Sequence, residues 1–185
     1  MKKLLLGLAF IGGSFTFAQT LGLKAGLNVS TISADDSSSK AGFYGGAFVN
    51  LPVGKDFSVQ PEVLFNGVGA KYDGNSDLRA NLSYISVPVM FQYNALPNLY
   101  LEAGPQFSFL VDSQFKYKNL SVKANDDVKG FDFGIGIGAG YYVTKNIGIT
   151  ARYIAGLTDV LKEVQGMQPE GKNNVFQIGL AYKFK

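Results

Sequence analysis

Apolar and polar residues alternate in eight stretches of this chain after residue 20, and the gaps between the stretches are unequal. Long charged gaps alternate with tight ones along the chain, and the gaps lie near 31–42, 52–56, 73–80, 94–98, 112–130, 144–146 and 157–174. Alternation at period two indicates β-strands with one apolar face. Strict alternation of gap lengths puts the long connections at one end of an antiparallel sheet and the short ones at the other, as in outer-membrane barrels. The pattern therefore predicts an all-β fold, an eight-stranded antiparallel up-and-down transmembrane β-barrel.

Side-chain volume decides which face of each strand points inward. In 131–143 every odd-numbered residue is apolar, whereas the even-numbered ones are mostly glycine. The interior of an eight-stranded barrel is just wide enough to be filled by side chains, so eight bulky apolar rows would not fit inside it. The apolar rows are therefore expected to face lipid. The alternative is a lipocalin-like soluble barrel, which requires the opposite orientation.

Outward-facing aromatic residues gather near both ends of the predicted strands. Such clustering favours the two aromatic girdles of a membrane barrel, although aromatic residues are also good strand formers in general. At the short-turn ends they are Phe57, Tyr93, Tyr141, Tyr182 and Phe184. Toward the long-loop ends they are Phe43, Phe107, Phe109, Phe131, Phe133 and Phe176.

The N-terminus has the features of an export signal. Lys2 and Lys3 precede an apolar run over 4–17, and Ala18 supplies the small residue before a cleavage site. A membrane anchor is the alternative, but the run is short for a spanning helix. We expect residues 1–18 to be a cleaved signal peptide and residues 19–185 to form the barrel domain, integral to the bacterial outer membrane.

Composition excludes several kinds of chemistry. The chain contains no histidine and no cysteine, which removes disulfides, histidine-based triads and the usual zinc sites. Glu62 and Glu102 are the only inward pair of carboxylates, and a filled lumen offers no cleft for a sugar substrate. The glycine run 134–140 lacks the spacing of a nucleotide-binding loop. We expect no enzymatic activity, no cofactor and no metal.

The formal charge of the chain also bears on its partners. Loss of Lys2 and Lys3 with the signal peptide lowers the formal charge from +3 to +1. That balance gives no basis for binding nucleic acid.

Four charged residues fall on the inward face. Lys24, Glu62, Glu102 and Arg152 lie on the first, third, fifth and seventh predicted strands, a few residues from their short-turn ends. These strands run in the same direction, so the side chains should reach similar heights in the lumen. Isolated buried charges are costly, which favours a near-neutral ionic plug. Separately hydrated side chains are the alternative. The glycines expected to make room are Gly104, Gly136, Gly138 and Gly148.

The long gaps carry charges of both signs. They form either a binding surface on a rigid scaffold or a solvated rim beside lipopolysaccharide. The acidic residues are Asp35, Asp36, Asp73, Asp77, Asp126, Asp127, Asp159, Glu163 and Glu170, and the lysines are Lys116, Lys118, Lys123, Lys129, Lys162 and Lys172. The pair at 126–127 lacks the ligand spacing of a calcium loop.

Several short segments, taken in order, resemble the PorT-like outer-membrane β-barrel family. They are Gly22–Asn28, Val59–Phe65, Tyr84–Val89, Glu102–Pro105, Asp132–Gly134 with Gly138–Gly140, and Ala151–Tyr153. Their order, more than any one of them, carries the likeness, and together they span nearly all of the mature chain. The resemblance implies an outer-membrane barrel without a defined biochemical activity for most members. The family's namesake is linked to protein secretion.

The last strand is similar to the signal read by the barrel-assembly machinery. Gln177, Gly179, Tyr182 and Phe184 fill its polar, glycine and two aromatic places. The usual signal ends on the aromatic residue, whereas Lys185 follows here. An ordinary amphipathic strand is the alternative interpretation.

Taken together, these patterns favour a structural or loop-mediated interaction role for a barrel whose lumen is closed by charged side chains. A narrow channel or transporter is one alternative, and an accessory component of protein secretion is another. The expected partners are outer-membrane lipid and lipopolysaccharide, the barrel-assembly machinery during biogenesis, and envelope or secretion proteins.

Overall fold

A computed structural model describes most of the chain, over residues 19–33, 37–72, 75–117, 120–123, 129–159 and 171–184. These residues form nine β-strands. Their bounds are β1 Thr20–Ser33, β2 Ser37–Pro52, β3 Phe57–Tyr72, β4 Asn75–Leu96, β5 Leu99–Tyr117, β6 Leu120–Lys123, β7 Phe131–Tyr142, β8 Ile147–Gly156 and β9 Lys172–Lys183. The described residues contain no helix long and apolar enough to cross a membrane.

Eight of these strands close into a barrel. The spatial order is β4-β3-β2-β1-β9-β8-β7-β5, and pairing of β4 with β5 completes the ring. Every pair is antiparallel, and the barrel strands that follow one another along the chain lie side by side, as in an up-and-down meander. The short strand β6 adds to the outer end of β5, opposite residues 114–117. The prediction of a closed eight-stranded barrel is confirmed.

The apolar rows point away from the barrel axis, as predicted. Leu27, Ile137 and Leu180 expose about half or more of their side chains on the outer surface, while Glu62 and Arg152 on the alternate face are buried. An apolar belt of this size in water would be an aggregation hazard. Hydrocarbon is the solvent that suits it.

Aromatic side chains meet in pairs at both ends of the belt. At the short-turn end, the rings of Phe57 and Tyr93 are 5.2 Å apart between centroids. At the other end, the rings of Phe109 and Phe131 are 5.6 Å apart. All four residues are about half exposed on the outer surface. The belt is therefore bounded by aromatic residues on both sides, which is the girdle arrangement of membrane barrels.

The strands run much further into the long gaps than the alternation of apolar residues predicts. Residues 75–80 belong to β4 and residues 112–117 to β5, and these two strands have 22 and 19 residues. A membrane strand needs only about 9–11 residues. Antiparallel pairing continues in water because it requires backbone hydrogen bonds and not an apolar face. The apolar alternation marks the membrane-spanning part of each strand, and several predicted loops are instead extended hairpins.

The short turns fall where the tight gaps predict them. After β2, the backbone N–H groups of Val53 and Gly54 both donate to the carbonyl oxygen of Phe57, at 3.0 and 3.2 Å. After β7, the Thr144 hydroxyl oxygen accepts a hydrogen bond from the N–H of Ile147 at 2.9 Å. These compact turns fix the register of the strand pairs that they join.

Candidate functional site

The structure brings together the four charged side chains that sequence analysis placed in the lumen. Lys24 lies on β1, Glu62 on β3, Glu102 on β5 and Arg152 on β8, and all four are almost completely buried. The barrel closes on itself, so side chains from strands on opposite walls can meet at its axis. We call these four residues the charge cluster.

Both carboxylates in the charge cluster contact both basic groups. The Lys24 ammonium nitrogen lies 2.7 Å from Glu62 Oε1 and 3.9 Å from Glu102 Oε2. Arg152 donates to Glu62 through Nη1 and Nη2 at 2.9 and 2.8 Å. It donates to Glu102 through Nε at 2.8 Å, and its Nη2 lies 2.7 Å from the same oxygen. The planar guanidinium suits such forked contacts with two carboxylates.

The formal charge of the charge cluster is zero, since two basic groups face two acidic ones. Taking an ion out of water costs several kcal/mol unless partners with good geometry surround it. Here Glu62 also accepts a hydrogen bond from Gln60 at 2.8 Å, and Glu102 accepts one from Gln92 at 3.0 Å. The cluster therefore cross-links four strands across the lumen while its charges remain compensated.

A layer of amide and hydroxyl groups lies on the short-turn side of the charge cluster. The Asn50 amide donates to Ser58, Gln60 and Gln92 at 3.0, 3.2 and 2.8 Å. We call Asn50, Ser58, Gln60 and Gln92 the inner amide layer. The sequence alone does not assign these residues a role, because neutral polar residues carry no signal of how they pair.

A second layer lies toward the long-loop side. Gln177 donates through its amide nitrogen to Asn28 Oδ1 at 3.0 Å and to Asn66 Oδ1 at 2.9 Å. These three residues, the outer amide layer, come from β9, β1 and β3 and are nearly fully buried. The register places Asn28 opposite Gln177, so the layer forms where two facing amides meet a third across the lumen.

Beyond the outer amide layer the inward face becomes apolar. Val68, Leu82, Tyr84, Ile154 and Val175 form a buried cluster, here called the apolar cluster. No role was assigned to this cluster from the sequence, although Val68, Leu82 and Tyr84 lie outside the predicted gap at 73–80. The continued alternation of large side chains through 64, 66 and 68 is the signal that would have located it.

Glycines make room for some of the lumen side chains. A Cβ atom at Gly138 would lie 3.1 Å from Arg152 Cα and 3.2 Å from its Cβ, and one at Gly136 would lie 3.5 Å from Arg152 Cδ. Gly104 instead faces the backbone of β4 at Val89, and Gly148 faces the ring of Tyr142. A Cβ at Gly138 would also lie 2.6 Å from the Ala151 carbonyl oxygen, so the space beside the long Arg152 side chain comes from Gly136.

Most of the charged residues predicted in the long gaps lie outside the described residues or on side chains that are not described. Among the described ones, Lys129 and Lys172 are exposed. The backbone of Asp159 forms an isolated antiparallel β-bridge with that of Lys172. The Asp159 Oδ1 accepts a hydrogen bond from the N–H of Gly171 at 3.1 Å. Within the described part of the chain, no three acidic, histidine or cysteine side chains gather as metal ligands.

Strand β9 carries the residues similar to an assembly signal. Gln177 points into the lumen, whereas Tyr182 and Phe184 are exposed on the outer surface with their ring centroids 5.4 Å apart. The N–H of Phe184 donates to the carbonyl oxygen of Leu21, so the end of the chain is tied to β1. The two aromatic residues are thus accessible at the short-turn rim.

Three solved structures share this architecture. Neisserial surface protein A superposes with a TM-score of 0.63 at 14% identity, over 90% of this chain and 99% of that one. Ail, the attachment invasion locus protein of Yersinia pestis, gives 0.54 at 14%, over 91% and 100%. OprG from Pseudomonas aeruginosa gives 0.51 at 13%, over 90% and 96%. Identities this low concern the fold alone.

Sequence comparison identifies the family. No curated protein matches the sequence. The profile of the outer membrane protein beta-barrel domain family matches residues 17–162, which is most of the chain. With its closed ring of eight strands and its lipid-facing apolar belt, the chain belongs to the outer membrane protein beta-barrel domain family and is a small barrel of the outer membrane.

Proposed function

We propose that this protein is a non-conducting outer-membrane scaffold that presents its outer hairpins to partners at the cell surface. The observation that carries the proposal is the filled lumen, in which the charge cluster joins four strands across the axis. The inner amide layer is hydrogen-bonded to both carboxylates of the charge cluster, and the outer amide layer adds separate bonds across the lumen. A channel needs a hydrated path, and side chains bonded to one another across the lumen leave little room for one.

The long hairpins support the interaction part of this role. β4 and β5 pair with each other as far as Leu78 and Tyr117, well beyond the apolar belt. Paired strands are stiffer than loops, and a rigid scaffold commonly positions recognition surfaces. The expected partners are lipopolysaccharide and envelope or secretion proteins. Membership in the PorT-like family, with an accessory role in secretion, is the more specific form of the proposal.

A conductance measurement tests the closed lumen. The purified barrel, inserted into planar bilayers, should show no discrete current steps above baseline, because the charge cluster blocks the axis. A general porin inserted under the same conditions provides the positive control. Reproducible current steps from the folded protein would reject the scaffold and favour the narrow channel or transporter.

We further propose that residues 1–18 direct export and that Gln177, Gly179 and Tyr182 of β9, with Phe184 directly after this strand, are read by the barrel-assembly machinery. Replacing Phe184 with alanine should lower the amount of folded protein in the outer membrane several-fold. Refolding of the same variant in detergent should be unchanged, because recognition by the machinery is not needed there. Heat-modifiable mobility on gels measures the folded fraction in both settings.

Phe57→Ala is the matched control for this experiment. Phe57 is also an exposed aromatic residue at the short-turn rim, but it lies on β3, away from the end of the chain. Equal losses in the two variants would mean that Phe184 contributes only to the girdle. The assembly role would then be rejected.

A further inference from the structure

A small cavity in the lumen, next to the apolar cluster, collects polar atoms that have no partner. Within the described part of the chain, five buried side-chain nitrogen and oxygen atoms make no hydrogen bond. Four of them belong to residues that line this one cavity, namely Asn66, Tyr84, Gln106 and Asn173. Native proteins pair nearly all buried polar groups, so a concentration of exceptions in one place calls for a ligand.

The four residues come from four different strands and are more than nine-tenths buried. Asn66 lies on β3, Tyr84 on β4, Gln106 on β5 and Asn173 on β9. Ser86 and Ser108, which also line the cavity, bond to each other at 2.8 Å. The cavity is therefore a built feature of the barrel interior and not a surface depression.

Reversing the side-chain amides of Asn66 and Asn173 would not satisfy their free atoms. Asn66 Oδ1 already accepts from the amide nitrogens of Asn28 and Gln177, at 3.4 and 2.9 Å. Turning that amide over would set its NH₂ group against two other NH₂ groups. The Asn173 amide nitrogen faces the Asp132 carboxylate at 3.5 Å, so its oxygen is held away from that acid. The neighbours fix both orientations.

The mixture of free groups defines the class of ligand. Asn66 offers a donor, Gln106 and Asn173 offer acceptors, and the Tyr84 hydroxyl can act as either. A cation would be repelled by the amide hydrogens, and an anion by the carbonyl oxygens. A neutral molecule that both donates and accepts satisfies the set. The cavity has room for roughly one molecule the size of water.

We propose that this cavity is a binding site for ordered water that joins β3, β4, β5 and β9 through Asn66, Tyr84, Gln106 and Asn173. The site goes beyond the closed scaffold proposed above, since it does not depend on whether the barrel conducts or binds a partner. A buried water with three or four polar partners is an integral part of a fold and costly to remove.

Two tyrosine variants test the site in the intact barrel. Tyr84→Phe should raise the equilibrium constant for unfolding on the order of five-fold, about the value of one hydrogen bond. Tyr100→Phe is the matched control, because the Tyr100 hydroxyl is also buried and unbonded but does not line the cavity. Removing an unsatisfied hydroxyl should leave stability unchanged or increased. Urea unfolding in detergent micelles, followed by circular dichroism, measures both.

A direct observation complements the variants. In the folded protein, the Asn66 side-chain amide protons should show magnetisation transfer with a long-lived water by NMR, and Tyr84→Phe should weaken it. Stability that rises equally in Tyr84→Phe and Tyr100→Phe would overturn the proposal. Absence of water transfer at Asn66 in the folded wild type would also overturn it.

Discussion

Replacing Arg152 with methionine should destabilise the barrel by about 3–5 kcal/mol, the usual cost of breaking a buried ion pair on one side. Arg152 bonds to both Glu62 and Glu102, and its loss changes the formal charge of the charge cluster from zero to −1. Lys24 alone would then face two buried carboxylates. The chain has no tryptophan, so urea unfolding is best followed by far-ultraviolet circular dichroism.

A second substitution separates charge balance from the number of contacts. In Arg152→Met combined with Glu102→Gln, the remaining Lys24 and Glu62 form a neutral pair at 2.7 Å. If compensation of charge is what matters, the double variant should regain more than half of the stability lost in Arg152→Met. A double variant less stable than the single one would show that contacts act additively. Compensation of charge would then not explain how the charge cluster stabilises the barrel.

Ile137→Arg should destabilise the folded barrel by about 2–4 kcal/mol, the penalty for a basic residue at the bilayer midplane. Ile137 is 58% exposed on the outer surface of β7, between the aromatic residues Phe131 and Tyr141 at the two ends of that strand. Unfolding in lipid vesicles is the appropriate measurement, because detergent adapts more easily to a charge.

Val53→Arg is the control for position 137. Val53 is 65% exposed, slightly more than Ile137, but it lies in the short turn after β2. Near the interface the penalty for arginine falls to about 0–1 kcal/mol. In a barrel surrounded by water the two substitutions would have similarly small effects. Equal stabilities would therefore contradict the orientation on which the membrane location depends.

The alternation of apolar residues was enough to predict the barrel and the orientation of its faces. The odd-numbered residues of 131–143 are bulky and the even-numbered ones mostly glycine, and only one arrangement of such rows fits a closed ring of eight strands. The sequence was also enough to place the charge cluster at one height in the lumen. Its four residues lie on non-adjacent strands that run in the same direction, at similar distances from the short turns. Counting residues from each short turn was enough to predict this common height.

The outer part of the structure was not predictable in the same way. Residues 75–80 and 112–117 are polar enough to read as loops, yet they continue β4 and β5. Their pairing depends on backbone groups, which every residue provides alike. Val68 and Leu82 lie outside the predicted gap at 73–80, but the alternation alone does not show that they pack together. The pairing among Asn28, Asn66 and Gln177 depends on strand register and barrel shear, which the residue pattern does not specify.

The apolar cluster bears on how such a barrel could evolve into a pore. Val68, Ile154 and Val175 lie nearer the long-loop end of the barrel than Asn66, Arg152 and Gln177, so ions moving along the axis would meet two successive obstacles of unlike chemistry. The apolar cluster excludes ions because it is not hydrated, whereas the charged and amide side chains hold ions electrostatically. Removing either obstacle leaves its companion in place. Permeation would therefore emerge from paired changes, while single replacements would register only as weakened folding.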